Sequence, residues 1–354
     1  MSSMRSTTFR RGCQWRTCWR CSTRCRSETR HVPGTRKRLA RGGRMQAIGD
    51  CCSYRAMSKV ILIHHAARRG RRHPPSSLSG LRDCLAAGAQ CIEVDLTPLA
   101  DGDFALLHDA RLEAATNGVG PVAAATAEQV QALRHRRRGR LTDEPVGLLS
   151  QVVEIIAGYA DPPASRQPVE LQLDLKPHVA LTDAVLANLA CLVAPVRGQV
   201  RVSSVDDRAL RRLAALDPAL PLGFDPMRYL DVDLARKPGA VESPACVGDY
   251  GYRDDHPLAA DQWGRPADYL ALRADGLWKQ MPAAVWYVRG LLLARMLADG
   301  FDWIAFLHSR GAQAAAWTLD PDQPHQLHLA RLLVAAGVDR ITTNDAPAMA
   351  VALA

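Results

Sequence analysis

Short aliphatic runs alternate with stretches of helical spacing from Lys59 to the C-terminus, and few architectures accommodate that rhythm. Extended runs are expected at Val60–Ile63, Cys91–Leu96, Phe104–His108, Val169–Lys176, Val200–Ser204, Leu222–Phe224, Gln313–Leu319 and Val338–Thr343. Helices are expected at Leu78–Ala87, Thr126–Leu133, Leu148–Ile156, Thr182–Leu192, Asp206–Leu216 and Gln323–Ala336. Strand–helix alternation predicts a parallel sheet with helical crossovers. The length of residues 57–354 suits a (β/α)8 TIM barrel, with an open doubly wound sheet as the alternative. No G-x-G-x-x-G or Walker A motif follows the first strand, which leaves nucleotide binding without support. Residues 226–280 fit the repeat poorly and carry Tyr229, Tyr250, Tyr252, Trp263 and Trp278, so an insertion over one barrel end is expected there.

Charge separates the N-terminus from the rest. Residues 1–56 hold thirteen arginines and Lys37 against Glu28 and Asp50, a net +12 in a chain of formal charge +9. The remaining residues are therefore mildly acidic, and the overall basicity does not argue for a specific nucleic-acid partner. Without apolar periodicity, residues 1–56 are expected to be a disordered basic extension. They lack the apolar core of a secretory signal. The spacing of Cys13, Cys18, Cys21 and Cys25 is not that of a zinc site, and the other six cysteines read as scattered free thiols of a reducing, cytoplasmic setting. No apolar run reaches the length of a membrane span.

The strands carry the chemical signal. Side chains alternate between faces, so Glu93 and Asp95 share one face of Ile92–Leu96, and Glu170, Gln172, Asp174 and Lys176 share one face of the later strand. An antiparallel sheet with one wet face has the same pattern. In a parallel barrel both faces are covered, and a polar phase must point into the lumen. Carboxylates converging there need a cation, and oxygen donors select hard ions such as Mg²⁺ or Ca²⁺. His64 and His65 end the first strand and His108 follows Phe104–Leu107; histidine is the natural proton carrier near neutral pH.

In order and spacing these residues resemble the glycerophosphodiester phosphodiesterase family. The family's HRG falls on His64-His65-Ala66, its E-x-D on Glu93-Val94-Asp95, its D-G turn on Asp101-Gly102 and its HD pair on His108-Asp109. Its N-G falls on Asn117-Gly118, its E-I-K on Asp174-Leu175-Lys176 and its serine-rich strand on Ser203-Ser204. Its W-T falls on Trp317-Thr318 and its G-V-D-x-I-x-T on Gly337–Thr343. The chain departs at the HRG arginine, which is His65, and at P-E-N-T, which is Pro74-Pro75-Ser76-Ser77. Arginines of the loop Ala67–Arg72 could replace the lost phosphate contact. The resemblance implies a divalent cation on Glu93, Asp95 and Asp174, with His64 and His108 as base and acid. His65, Lys176 and Trp317 are then substrate-binding, and the substrate is a small-molecule phosphodiester. Loop length decides between His64 and His65, and this reading assigns His64. A sphingomyelinase D-like phospholipase of the same fold, a catalytically silent barrel binding a phosphorylated ligand, and a nucleic-acid binder acting through the N-terminal arginines are the alternatives. Asp254-Asp255-His256 reads as a polar turn.

Overall fold

The computed structural model describes residues 60–159, 169–231 and 265–354. The expectations for residues 1–56, for Asp254–His256 and for the middle of the 226–280 insertion lie outside them. Eight parallel strands close on themselves: β1 (Ile61–His64), β2 (Cys91–Pro98), β6 (Glu170–Leu175), β7 (Val200–Ser204), β8 (Leu222–Phe224), β9 (Val285–Arg289), β10 (Gln313–Trp317) and β11 (Arg340–Thr343). β1 pairs with both β2 and β11, which completes a (β/α)8 barrel.

The crossover helices are α1 (Leu78–Ala86), α3 (Leu149–Ala157), α4 (Asp183–Val193), α5 (Asp207–Leu216), α6 (Pro266–Gln280), α7 (Gly290–Ala298), α8 (Trp303–His308), α9 (Pro324–Ala335) and α10 (Ala346–Leu353). Several begin where the sequence supplies a capping oxygen. Ser77 accepts from Gly80 N, Thr182 from Val185 N, and Asp206 from Arg208 N and Ala209 N. α1 packs so closely on the β1 loop that a Cβ on Gly80 would lie 2.5 Å from the Ala67 carbonyl.

The outward phase of the strands builds the main core. Ile92, Val94 and Leu96 from β2 and Leu171, Leu173 and Leu175 from β6 are buried against the helices. An aromatic group fills the opposite side, where Phe224 meets Trp286 edge-on at 5.0 Å and Trp286 lies 5.8 Å from Trp303. On the inward phase Ile63, Cys91, Val285, Tyr287 and Ala315 form a buried apolar layer, with Ile61 and Trp317 packed against it. Tyr287 fits because Gly223 faces it, and a Cβ there would lie 2.4 Å from the ring.

The N-terminal ends of the strands close the barrel floor with charge. Glu170 at the start of β6 accepts from Arg201 and from Arg340 at the start of β11. Arg340 donates onward to Gln313 at the start of β10. Each buried ion here has a partner, as low-dielectric surroundings require.

Between β2 and α3 the chain makes an excursion at the C-terminal end of the barrel. It contains β3 (Phe104–Ala105), α2 (Ala127–Gln131) and a hairpin of β4 (Arg134–Arg137) and β5 (Arg140–Pro145). β3 pairs antiparallel with the end of β2 for two residues, so the extended run expected through His108 stops early. Three further expectations change. Residues 266–280 are a regular crossover helix, not loop. The strand β9 with α7 and α8, and the β4–β5 hairpin, were not expected from the sequence.

Candidate active site

The C-terminal ends of β2 and β6 bring the acidic residues together. Asp95 is in register with Asp174, and Glu93 with Gln172. One carboxylate oxygen each from Glu93, Asp95 and Asp174 lies within 4.8 Å of the others. Lys176 Nζ reaches over them, 2.9 Å from Asp95 Oδ1 and in contact with Asp174 Oδ2. Three carboxylates face one ammonium here, with Arg68 also acting on Glu93 and Asp95, so the cluster is acidic. Its all-oxygen donor set suits a hard divalent ion.

The neighbouring groups hold the carboxylates in place. Ser203 Oγ donates to Asp174 Oδ1 and accepts from Gln172 Nε2. Ser76 Oγ donates to Asp95 Oδ2 at 3.0 Å and accepts from Asp95 N. The Ala66 amide donates to Glu93 Oε2 at 2.6 Å. Ala66, Ala67 and Ser76 all have φ near +50°, a conformation that costs an L-residue about 1–2 kcal/mol. Ala66 and Ser76, which bond Glu93 and Asp95, thus hold strained backbone.

Charge balance differs among the three carboxylates. Burial, with Asp95 and Asp174 beside it, drives the Glu93 carboxyl well above its ordinary range. Burial opposes the charge of Asp95 too, but Lys176, His108 and His65 outweigh it and hold that carboxyl low. Lys176 is itself desolvated, yet Asp174, Asp95 and Glu93 keep it firmly protonated.

The two adjacent histidines separate onto opposite sides of the barrel wall. Ile61 and Ile63 point inward, and Ile63 is paired with Cys91. Continuing that phase and register sets His65 level with Glu93, and His65 Nε2 lies 3.9 Å from Glu93 Oε2. His64 faces out. Its Nδ1 bonds the Arg68 carbonyl at 3.0 Å and lies 3.7 Å from Cys84 Sγ on α1. The assignment of His64 to the site is thereby corrected: a strand residue shares a face with its second neighbour, not its first.

His65 is held by two residues the sequence did not suggest. Asn344 Nδ2 donates to Asp320 Oδ2 at 2.7 Å, which turns Asn344 Oδ1 toward His65 Nδ1 at 2.8 Å. Arg68 donates to that same oxygen. Oδ1 can only accept, so His65 carries its proton on Nδ1 and presents a bare Nε2 to the lumen. Burial lowers the His65 pKa, which favours this neutral form.

The other expected residues lie around the mouth. His108 stands at the rim with its side chain 62% exposed, beside Asp109 and near enough to act on the charge of Asp95. Trp317 ends β10 on the inward phase, with its indole Nε1 buried and unpartnered among the described residues. Asp225, just past β8, was also not expected. Burial, with Asp174 and Asp231 nearby, raises its carboxyl to about 8.

A family model described as the glycerophosphoryl diester phosphodiesterase family matches residues 69–348. The chain belongs to that family. It is 30% identical over 129 residues to mouse glycerophosphodiester phosphodiesterase 1, a stretch covering 35% of this chain and 37% of the mouse protein. The chain thus spans well under half of that relative. The Oleispira antarctica phosphodiesterase solved in complex with its product sn-glycerol-3-phosphate superposes with a TM-score of 0.56 at 17% identity, covering 82% of this chain and 96% of that one. The glycerophosphodiester phosphodiesterase of Agrobacterium tumefaciens gives 0.53 at 18%, covering 82% and 99%. These likenesses carry the fold. With His65 as the inward histidine, the arginine and glycine of the family's HRG fall on Ala66 and Ala67, and two alanines adopt left-handed backbone there. Among the described residues no helix is long and apolar enough to cross a membrane.

Proposed function

We propose that this chain hydrolyses a glycerophosphodiester, or a closely related small phosphodiester, to glycerol phosphate and an alcohol. The observation that carries the reading is the group of buried Glu93 and Asp95 with half-buried Asp174 beside Lys176, beneath a histidine whose bare Nε2 faces it. A divalent cation, Mg²⁺ or Ca²⁺, held by those three carboxylates would withdraw charge from the phosphoryl oxygens. A barrel that only bound a phosphorylated ligand, itself an anion, would gain nothing from an acidic cluster at its mouth.

The chain's own groups supply the proton transfers. His65 Nε2 accepts the proton of a glycerol hydroxyl as its oxygen attacks phosphorus. His108, exposed at the rim, delivers a proton to the departing alcohol oxygen. A cyclic phosphate results, and water opens it with the two histidines exchanging roles. Lys176 fixes Asp95 and Asp174 and adds a point charge near the phosphate. Trp317 walls the site and offers its indole N–H to a substrate oxygen. The free thiols Cys84, Cys91 and Cys191 support a reducing, cytoplasmic setting.

The test is turnover on a panel of glycerophosphodiesters with Mg²⁺, Ca²⁺ or chelator, with products followed by ³¹P NMR. Turnover that chelation abolishes and either ion restores is expected. Turnover indifferent to chelator overturns the metal-dependent reading, and accumulation of cyclic phosphate as the end product replaces hydrolysis with a lyase.

A further inference from the structure

The β4–β5 hairpin has no part in the proton transfers, and its charge is arranged against its own stability. Arg136, Arg137, Arg138 and Arg140 are all exposed. Arg137 is paired directly opposite Arg140, a like-charge pair that disfavours the hairpin. The two-residue turn between them has φ of +49° at Arg138 and +76° at Gly139. Such a turn favours Asn, Asp or Gly at its first position. Arginine there forgoes the favoured backbone chemistry and keeps a positive charge at the tip.

Neutral groups take up the bonds of the arginines along the hairpin. Arg136 donates to the Thr116 carbonyl, and Arg137 to the carbonyls of Arg71 and Arg72. Among the described residues no carboxylate lies within ion-pair distance of Arg72, Arg138 or Arg140, although Asp322 pairs with Arg71. Leu141, next to Arg140, is 51% exposed, and Val119, in the turn that bonds to β4, is 81% exposed. The bonds from Arg137 attach the tip to the same loop that carries His65 and Arg68, so the basic surface continues the rim of the mouth.

From this we infer that the hairpin tip and the Arg71–Arg72 loop dock on an anionic lipid surface, with the mouth beside the headgroups. Uncompensated arginines flanked by exposed aliphatic side chains are the combination that an anionic bilayer interface receives. The tip carries no aromatic residue on which a base could stack, which disfavours a single-stranded nucleic acid. A sheet of lipid phosphates would also relieve the repulsion between Arg137 and Arg140.

Co-sedimentation of the full-length chain with vesicles tests this. Binding is expected to vesicles of phosphatidylcholine mixed with phosphatidylglycerol, not to phosphatidylcholine alone, and to weaken with salt. The variant Arg138→Asn/Arg140→Gln suits the turn better than the parent and should fold at least as stably. Its affinity for the mixed vesicles should fall about 30-fold, and that of Arg140→Gln alone about fivefold. Turnover of a water-soluble phosphodiester should be unchanged in both. Parent-like vesicle affinity in the double variant overturns the inference, as does equal binding of the parent to both vesicle types. A parent that ignores vesicles but retains single-stranded RNA through the same arginines replaces the lipid surface with a nucleic acid.

Discussion

Replacing the two adjacent histidines one at a time should produce opposite failures. His65 presents Nε2 to the acidic cluster, while its side chain is 29% exposed and its structural bond is the one to Asn344. His65→Ala should therefore lower kcat by about 10²–10⁴-fold, the loss typical for a positioned proton carrier. Its stability cost should stay near 1 kcal/mol, that of one hydrogen bond. His64 is 8% exposed and wedged between Cys84 and the Arg68 carbonyl. His64→Ala strands that carbonyl, for about 1–3 kcal/mol, and opens a small cavity as well. A combined loss of about 2–4 kcal/mol lowers Tm by roughly 5–10 °C. Turnover by the folded fraction should change less than about tenfold. Steady-state kinetics beside thermal melts separate the two outcomes. A His64→Ala enzyme that is inactive with an unchanged Tm, beside an active His65→Ala enzyme, refutes the assignment drawn from strand phase.

Glu93→Gln keeps the shape of the cluster but removes one of its charges, so divalent-ion affinity measured by calorimetry should fall by more than the 10- to 100-fold typical of outer-sphere changes; parent-like affinity counts against Glu93 as a ligand. Lys176→Met removes the ammonium that bonds buried Asp95 and should cost about 3–5 kcal/mol in chelator, with divalent ions restoring much of it, whereas a Tm indifferent to both places the cation elsewhere. His135 is the buried residue of β4, with burial pulling its pKa down to about 4, opposed by Glu144. Its depressed value means stability is complete above about pH 6.5 and lost as pH falls toward 4, by about 2 kcal/mol at pH 5. Urea unfolding at pH 7 and pH 5 should show that loss in the parent and little of it in His135→Asn; equal losses in both would assign the acid sensitivity to other groups.

β2 and β6 were legible because their two phases differ in chemistry, aliphatic outward and acidic inward, so period two is visible without an alignment. β9, Val285–Arg289, has no such contrast: Trp286 and Val288 face the helices while Val285 and Tyr287 fill the lumen, and a strand buried on both sides shows no alternation. The β4–β5 hairpin fails the same test from the other direction, since its apolar residues are too few to mark a face. α6 begins at Pro266 and mixes polar with aromatic residues, which obscured the helical spacing that buries Leu270, Ala274 and Leu277. Within the site, Glu93, Asp95, Asp174 and Lys176 followed from strand parity. The choice between His64 and His65 did not, because it depends on the register of β1 against β2, a tertiary fact. Asn344 and Asp320 carried no local signal: each matters only because barrel closure brings β11 beside β1.

The charged floor formed by Glu170, Arg201 and Arg340 makes the barrel a cup with one opening. Whatever enters past Trp317 and His108 must leave the same way. In the proposed two-step hydrolysis the alcohol would depart first, from the rim side, and the phosphorylated product, held near Lys176, would leave last. Release would then be ordered, and added glycerol phosphate should inhibit by competing with substrate, while added alcohol should act at a different kinetic step.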